Sequence, residues 1–460
     1  MMGLIVLILL AVLEIVLVIR NRKDPSAQGK TRLMARAAQF VIVVIAILLP
    51  AGQKWRFAPV LALLAILLAA AIIRFLTGKR QNADVSKKPA RGIASCVLCL
   101  LLYAVFLFPA FLFTGYKGLP VSGSYKVGEA SAILVDASRT DPFESDGSCR
   151  EVPVHFYYPV TGEAQTQQFP LVLFSHGAFG YYQSNTSTYM ELASNGYVVA
   201  ALDHPHHAFF TQDTEGKTIL VDQNFLNTAM TLSGESDLDE KPQEEYEIYQ
   251  EWMALRTADL NFAVDELKRA AQGEALDEAW FCPEKERETI AAVLGTADAG
   301  KIGLMGHSMG GATSVALGRE RDDISAVIDI DGTMLSEYTG VADGKLTVRE
   351  EPYTVPILEF VNWETHNELA SFIEEYRAEG GRYPNDELMR HAAEGFTTTI
   401  RDTQHMDFTD LPLLSPTLGK MLGSGERDTA ETMSIVNGLV LQFYNCYLKG
   451  EGSFTAEDSY

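Results

Sequence analysis

The segment Lys301-Ile302-Gly303-Leu304-Met305-Gly306-His307-Ser308-Met309-Gly310-Gly311 constrains this chain more than any other. An apolar run ends in Gly-x-Ser-x-Gly, and the small residues Ala312-Thr313-Ser314-Val315-Ala316-Leu317 follow. The pattern predicts a strand that turns sharply into a helix, with Ser308 on the turn and its hydroxyl clear of both elements. Glycine at positions 306 and 310 lets the two backbones approach closely, because no Cβ intervenes. Such a turn needs a sheet to carry it, so the chain must supply further buried strands.

Charge and hydropathy divide the 460 residues at about position 114. The first 114 residues hold 14 Lys and Arg against 3 Asp and Glu; the rest hold 23 against 57. Four apolar stretches, 2–19, 40–52, 57–75 and 93–113, fall in the basic part. The first, third and fourth approach the ~20 residues that cross a bilayer as a helix. The second spans only if Ala37 and Ala38 are included. The first stretch has neither a basic leader nor a small-residue cleavage site, so it reads as a span, not a signal peptide. An all-α transmembrane region of about four helices is therefore expected over residues 1–117. Its ionisable residues within the stretches are Glu14 and Arg74, which fits plain anchoring.

Lys and Arg gather at 20–36 and 79–91, while the short connection between the second and third stretches holds only Lys54 and Arg56. Positive charge marks the cytoplasmic side. This predicts a multi-pass cell-membrane protein whose domain from residue 118 to 460 is extracytoplasmic. The strongly acidic charge of that domain excludes nucleic acid as a partner.

Strands are expected at 132–135, 152–158, 171–175, 197–202, 301–305, 326–330, 356–361 and 397–400. Several are unbroken apolar runs, as in parallel strands buried on both faces. Helical stretches alternate with them, including 249–267 and 432–448. The expected class is α/β, an α/β-hydrolase fold with a mostly parallel central sheet. The acidic segment 232–290 interrupts the strand series and is a candidate cap insertion.

Serine becomes a useful nucleophile when an imidazole takes its proton. In this fold the chain order is Ser, then acid, then His. Of His366, His391 and His405, only His405 follows the last expected strand, where the base belongs. The acid candidates are Asp331, at the carboxyl end of the strand 326–330, Glu364, near the end of the next strand, and Asp407 beside the base; Asp331 fits best. Asp329, two residues further back, reads as structural. The oxyanion hole needs two backbone N–H groups. Met309 supplies one, and Ala178, after the apolar run Leu171-Val172-Leu173-Phe174-Ser175-His176-Gly177, supplies the other. His176 reads as bracing that loop. His204, His206 and His207 read as loop structure, so neither metal nor cofactor is implied. Cys96 and Cys99 lie in the fourth apolar stretch; Cys149, Cys282 and Cys446 allow at most one disulfide, and the sequence does not select the pair.

Four phrases taken together resemble the plasma-type platelet-activating-factor acetylhydrolase family: Phe174-Ser175-His176-Gly177, Gly306-His307-Ser308-Met309-Gly310-Gly311-Ala312-Thr313, Ile330-Asp331-Gly332-Thr333-Met334 and Thr399-Ile400-Arg401-Asp402-Thr403-Gln404-His405. Pro356-Ile357-Leu358-Glu359-Phe360-Val361-Asn362 is similar as well, and the likeness spans roughly 152–409. The resemblance implies Ser308 as nucleophile, Asp331 as acid, His405 as base, and Ala178 with Met309 as oxyanion donors. It implies a cofactor-free carboxylic ester hydrolase acting on short or oxidised sn-2 acyl chains of phospholipids. Met309 replaces the Phe associated with the animal enzymes, and the multi-span N-terminus is foreign to the secreted forms. Competing readings are a dienelactone hydrolase- or cutinase-like esterase on another acyl or polyester substrate, and a degenerate lipid-binding membrane protein. Oligomeric state is not legible.

Overall fold

The computed structural model describes residues 2–24, 27–49, 54–77, 89–113, 115, 116, 118–162, 167–232, 241–378 and 380–460. The chain forms two compact units. One comprises Met1–Gly118 with Leu411–Met421; the other comprises Leu119–Asp410 with Leu422–Tyr460.

The first unit is helical: α1 (Met2–Lys23), α2 (Gln28–Leu48), α3 (Ala58–Leu76) and α4 (Pro89–Phe106). Among the described residues three helices, Met2–Lys23, Gln28–Leu48 and Lys54–Leu76, are long and apolar enough to cross a membrane, and a shorter apolar helix covers Gly92–Phe106. Leu10, Val43, Leu64 and Tyr103 pack at its centre, while Ile8, Val12, Ile66 and Val105 face outward. An apolar exterior of this kind suits contact with another apolar phase.

Helix α2 starts well before the expected apolar stretch, so Arg32 and Arg36 are helical instead of lying in a basic connection. Arg36 is buried and pairs with Glu14 of α1; it also donates to Gln39 Oε1 and Tyr103 Oη, each at 2.6 Å. A charge removed from water persists only with such partners. Much of the basic segment 79–91 lies outside the described residues, as does 233–240 of the expected cap. Ser415 Oγ donates to the Leu112 carbonyl at 2.6 Å within this unit.

Among the described residues the second unit is built on a nine-stranded main sheet: β1 (Lys126–Thr140), β2 (Cys149–Val160), β3 (Phe169–Ser175), β4 (Val198–Leu202), β5 (Trp280–Phe281), β6 (Ala297–His307), β7 (Ile324–Ile330), β8 (Ile357–Asn362) and β9 (Gly395–Ile400). They are ordered β9-β8-β7-β6-β3-β4-β2-β1-β5. From β4 to β9 the pairing is parallel; β2 joins β4 antiparallel, and β1 pairs antiparallel with β2 and β5.

Side chains alternate across each strand. Leu171, Leu173, Ile302 and Leu304 face one core, which also holds Leu260, Val264 and Leu267 of α7 (Pro242–Ala271). Val172, Phe174, Met305 and Ile328 face the other, against α5 (Thr186–Ser194) and Val436, Val440 and Phe443 of α9 (Thr429–Tyr444). Burial on both faces explains the continuous apolar runs in the sequence. The segment 232–290 thus contributes a core helix, and its Trp280 adds an edge strand that no periodicity announced. All five cysteines are free.

Candidate active site

Strand β6 ends at His307, and helix α8 (Met309–Glu320) begins one residue beyond Ser308. Ser308 has φ +54° and ψ −129°. A side-chain-bearing residue held there costs about 1–3 kcal/mol and needs its surroundings to impose it. They do: the Ser308 N–H donates to the Ile330 carbonyl at 2.8 Å, and the Ser308 carbonyl accepts from the Gly311 N–H at 2.8 Å. A Cβ on Gly310 would stand 2.0 Å from the Ser175 carbonyl oxygen, and one on Gly306 would stand 2.2 Å from the Gly310 backbone. Strand and helix can meet here only through glycine. Among the described residues no protein group hydrogen-bonds the Ser308 hydroxyl.

Asp331 follows β7 directly, with φ +60°. Its Oδ2 lies 2.6 Å from His405 Nδ1. Asn362, the last residue of β8, donates its backbone N–H to Asp331 Oδ1 at 2.7 Å and its side-chain amide to Oδ2 at 2.8 Å. Burial alone would raise the Asp331 pKa, but His405 and Asn362 outweigh it and hold the carboxyl below its usual range. His405 opens the turn His405–Phe408 after β9 and remains 42% exposed while its partner is 4% exposed. The Asp331 contact occupies Nδ1 and leaves Nε2 to other partners.

The other acid and base candidates are placed elsewhere. Glu364 is exposed. Asp407 Oδ2 accepts the backbone N–H of Gln404 at 2.9 Å and that of Gly425 at 2.5 Å, so it shapes the turn that carries His405. His366 stacks on Trp363, and His391 Nδ1 bonds the Glu387 carbonyl. Asp329 is fully buried, and its Oδ1 accepts the Gly332 N–H at 3.1 Å. Burial and the neighbouring Glu359 and Asp331 push its pKa well up.

The loop after β3 packs against Ser308: a Cβ on Gly177 would lie 3.1 Å from Ser308 Cβ. Ala178 and Met309 share one apolar cluster with Phe225 of α6 (Gln223–Leu232), Trp252 and Met253 of α7, Ala312 and Leu335. Among the described residues neither the Ala178 nor the Met309 N–H has a protein acceptor.

A second Ser-His-Asp array lies beneath that loop. His204 Nε2 is 2.9 Å from Ser175 Oγ, and His204 Nδ1 is 3.1 Å from Asp259 Oδ2. All three residues are 0% exposed, and Arg150 bonds Asp259 at 2.8 Å. Burial, followed by the Arg256 charge, lowers the His204 pKa to about 4. Sealed from substrate, the array can only hold structure. Each neighbour in the histidine run is also engaged: His206 stacks on Phe143 and His207 on Phe225. Sequence reasoning missed Asn362 and Arg256; the end of the strand beside that of Asp331 was the one available signal for the former.

A serine on a strained strand-to-helix turn, at the carboxyl edge of a largely parallel sheet, is the arrangement of the α/β-hydrolases. Comparison with solved structures gives the same fold: a ferulic acid esterase from Streptomyces cinnamoneus superposes with a TM-score of 0.50 at 22% identity, over 73% of this chain and 93% of that one. The sequence narrows the class further. Residues 147–459 match the sequence model of the family "Platelet-activating factor acetylhydrolase, isoform II", and the chain belongs to that family.

It is 22% identical over 320 residues to the platelet-activating factor acetylhydrolase of Cavia porcellus, covering 66% of this chain and 62% of that protein. The Bos taurus protein of the same name is 23% identical over 305 residues, covering 64% of this chain and 60% of that one. The Gallus gallus protein is 23% identical over 308 residues, covering 64% and 65% respectively. The chain therefore spans less than two thirds of the length of these relatives.

Proposed function

We propose that this protein is a membrane-anchored serine esterase that hydrolyses short or oxidised sn-2 acyl chains of phospholipids. The observation that carries the reading is the 2.6 Å contact between His405 and the buried Asp331 carboxylate, with Ser308 on the adjoining elbow. In this reading His405 Nε2 removes the Ser308 proton, and the alkoxide attacks the ester carbonyl. The Ala178 and Met309 N–H groups receive the developing oxyanion. His405 then protonates the departing lysophospholipid alcohol, and a water activated by the same ring releases the acid. Asp331 fixes the imidazole tautomer and stabilises the imidazolium.

Family membership supports ester chemistry on a phospholipid. The filled apolar cluster of Phe225, Trp252 and Met253 beside the donors supports a small acyl group. The apolar helices support an anchor in the cell membrane, and the Lys and Arg distribution supports an extracytoplasmic catalytic unit. A fluorophosphonate probe on the full chain in detergent tests the nucleophile. Labelling that maps to Ser308 and disappears in Ser308→Ala is the expected result; a label on Ser175 or another serine overturns the assignment.

A further inference from the structure

Arg256 is a fully buried cation that the two-step acyl-transfer chemistry does not use. It projects from α7 onto the loop that carries Ala178. Its Nη1 donates to the His176 carbonyl, its Nη2 to the Gly177 carbonyl at 3.4 Å, and its Nε to His207 Nδ1 at 3.3 Å. The Gly177 carbonyl also lies 2.7 Å from His176 Nδ1 and accepts the Gly180 N–H at 3.1 Å. His176 Nε2 accepts the His204 N–H at 3.1 Å, which places the ring proton on Nδ1 and makes Gly177 its acceptor. Burial, then the Arg256 charge, holds His176 well below its ordinary pKa, so the ring stays neutral in that tautomer.

The consequence follows from peptide geometry. No peptide in the described chain is cis. In a trans peptide the C=O and the following N–H point in opposite directions across one plane. Donors that hold the Gly177 carbonyl, Arg256 among them, therefore turn the Ala178 N–H to the opposite side. A hydrogen bond to a carbonyl also polarises its amide and strengthens the N–H as a donor. The next N–H, of Phe179, is diverted to the His207 carbonyl at 3.1 Å, with Phe179 at φ +60°. The Ala178 N–H, with no acceptor among the described residues, is left to donate.

We infer that Arg256 is a positioning residue for the oxyanion hole: its guanidinium fork orients and polarises the Gly177–Ala178 peptide. The inference rests on the serine-esterase reading. Arg256 reaches the chemistry only through that peptide. Asp259, one helical turn on, carries the balancing charge and is itself held by Arg150 and His204.

The test is steady-state kinetics of the full chain in detergent with a short-chain ester, for wild type, Arg256→Met and Arg256→Lys. Active sites are titrated with a fluorophosphonate, and a trifluoromethyl ketone serves as transition-state analogue. Removing one oxyanion donor costs about 100-fold to 1,000-fold in kcat. For Arg256→Met, kcat per titrated site is expected to fall about 100-fold, with KM within about twofold and ketone affinity reduced in parallel. Arg256→Lys keeps the buried cation but not the fork; it is expected to recover part of that loss, and it stands as the test if Arg256→Met does not fold.

A merely structural arginine would lower the number of titratable sites and leave kcat per site unchanged. That result, or a loss confined to KM, or wild-type kcat in Arg256→Lys, overturns the inference. Absence of turnover and labelling in the wild type would instead overturn the esterase reading itself.

Discussion

Replacing Gly310 by alanine is expected to break the elbow, and its cost can be worked from contact distances. The new Cβ would stand 2.0 Å from the Ser175 carbonyl oxygen, 2.4 Å from its carbon and 2.7 Å from the His176 carbonyl oxygen. Ordinary contact begins near 3.4 Å, so α8 and β3 would have to separate by roughly 1 Å at the centre of the sheet. Overpacking against side chains that can yield costs about 1–3 kcal/mol. Here only backbone is in the way, so the upper end, about 3 kcal/mol, is the minimum. For a domain of this size each kcal/mol lowers Tm by about 2–4 °C, giving a loss of at least about 6 °C. Because the same shift displaces Ser308 and Met309, activity at temperatures where the variant is folded should fall about 100-fold.

Gly438 is the internal control. It sits in α9 with nothing within 4 Å of an added Cβ. Gly438→Ala should gain about 0.5–1 kcal/mol of stability and leave activity untouched. Melting curves of both variants in detergent, with turnover measured alongside, provide the assay. A Gly310→Ala protein with wild-type melting and wild-type turnover would refute the close-approach reasoning.

Three further substitutions probe the site. Asp331→Asn removes the charge that faces His405 and should lower kcat about 10,000-fold with little change in KM, as replacement of the triad acid does elsewhere; a loss below about tenfold would show that another acid serves. Asn362→Leu deletes the side-chain donor to a buried carboxylate whose pKa it helps depress. The Asp331 pKa should then rise, so the stability its depressed value contributes is lost at a higher pH and the acid unfolding midpoint moves up; an unmoved midpoint counts against the role of Asn362. Trp252→Ala opens the cluster beside Ala178 and Met309, so the ratio of octanoyl to acetyl ester turnover should rise about tenfold or more, since one methylene in such a pocket is worth about 1–3 kcal/mol; an unchanged ratio would place the acyl group elsewhere.

The strands were legible because burial on both faces leaves apolar runs such as Leu171-Val172-Leu173-Phe174. All eight expected strands are present, with ends shifted by a few residues. Ser308, Asp331 and His405 could be proposed from the sequence because the fold fixes the expected chain order and each follows a recognisable strand; the structure brings Asp331 and His405 within 2.6 Å. What the sequence concealed were interactions between distant segments. Arg36 lies outside the apolar stretch and looks solvated, until Glu14 of another helix neutralises it. Arg256 and Asp259 sit in a segment whose acidic composition suggested a peripheral cap, yet both are fully buried against residues 100 or more positions away or at the β3 loop. Asn362 occupies the strand end where an alternative acid was sought, and serves Asp331 instead. Composition reports the average environment of a segment; it does not report which of its polar residues turns inward.

The most direct measurement is release of fatty acid from phosphatidylcholines graded in sn-2 chain length, from acetyl through oxidatively truncated to full-length chains, by the full chain and by Ser308→Ala. The account predicts turnover that falls steeply with sn-2 length and vanishes in the variant. Ser308-dependent turnover of a simple aryl ester with no cleavage of any phosphatidylcholine would keep the chemistry and contradict the phospholipid assignment. Turnover that survives in Ser308→Ala would contradict the account at its centre.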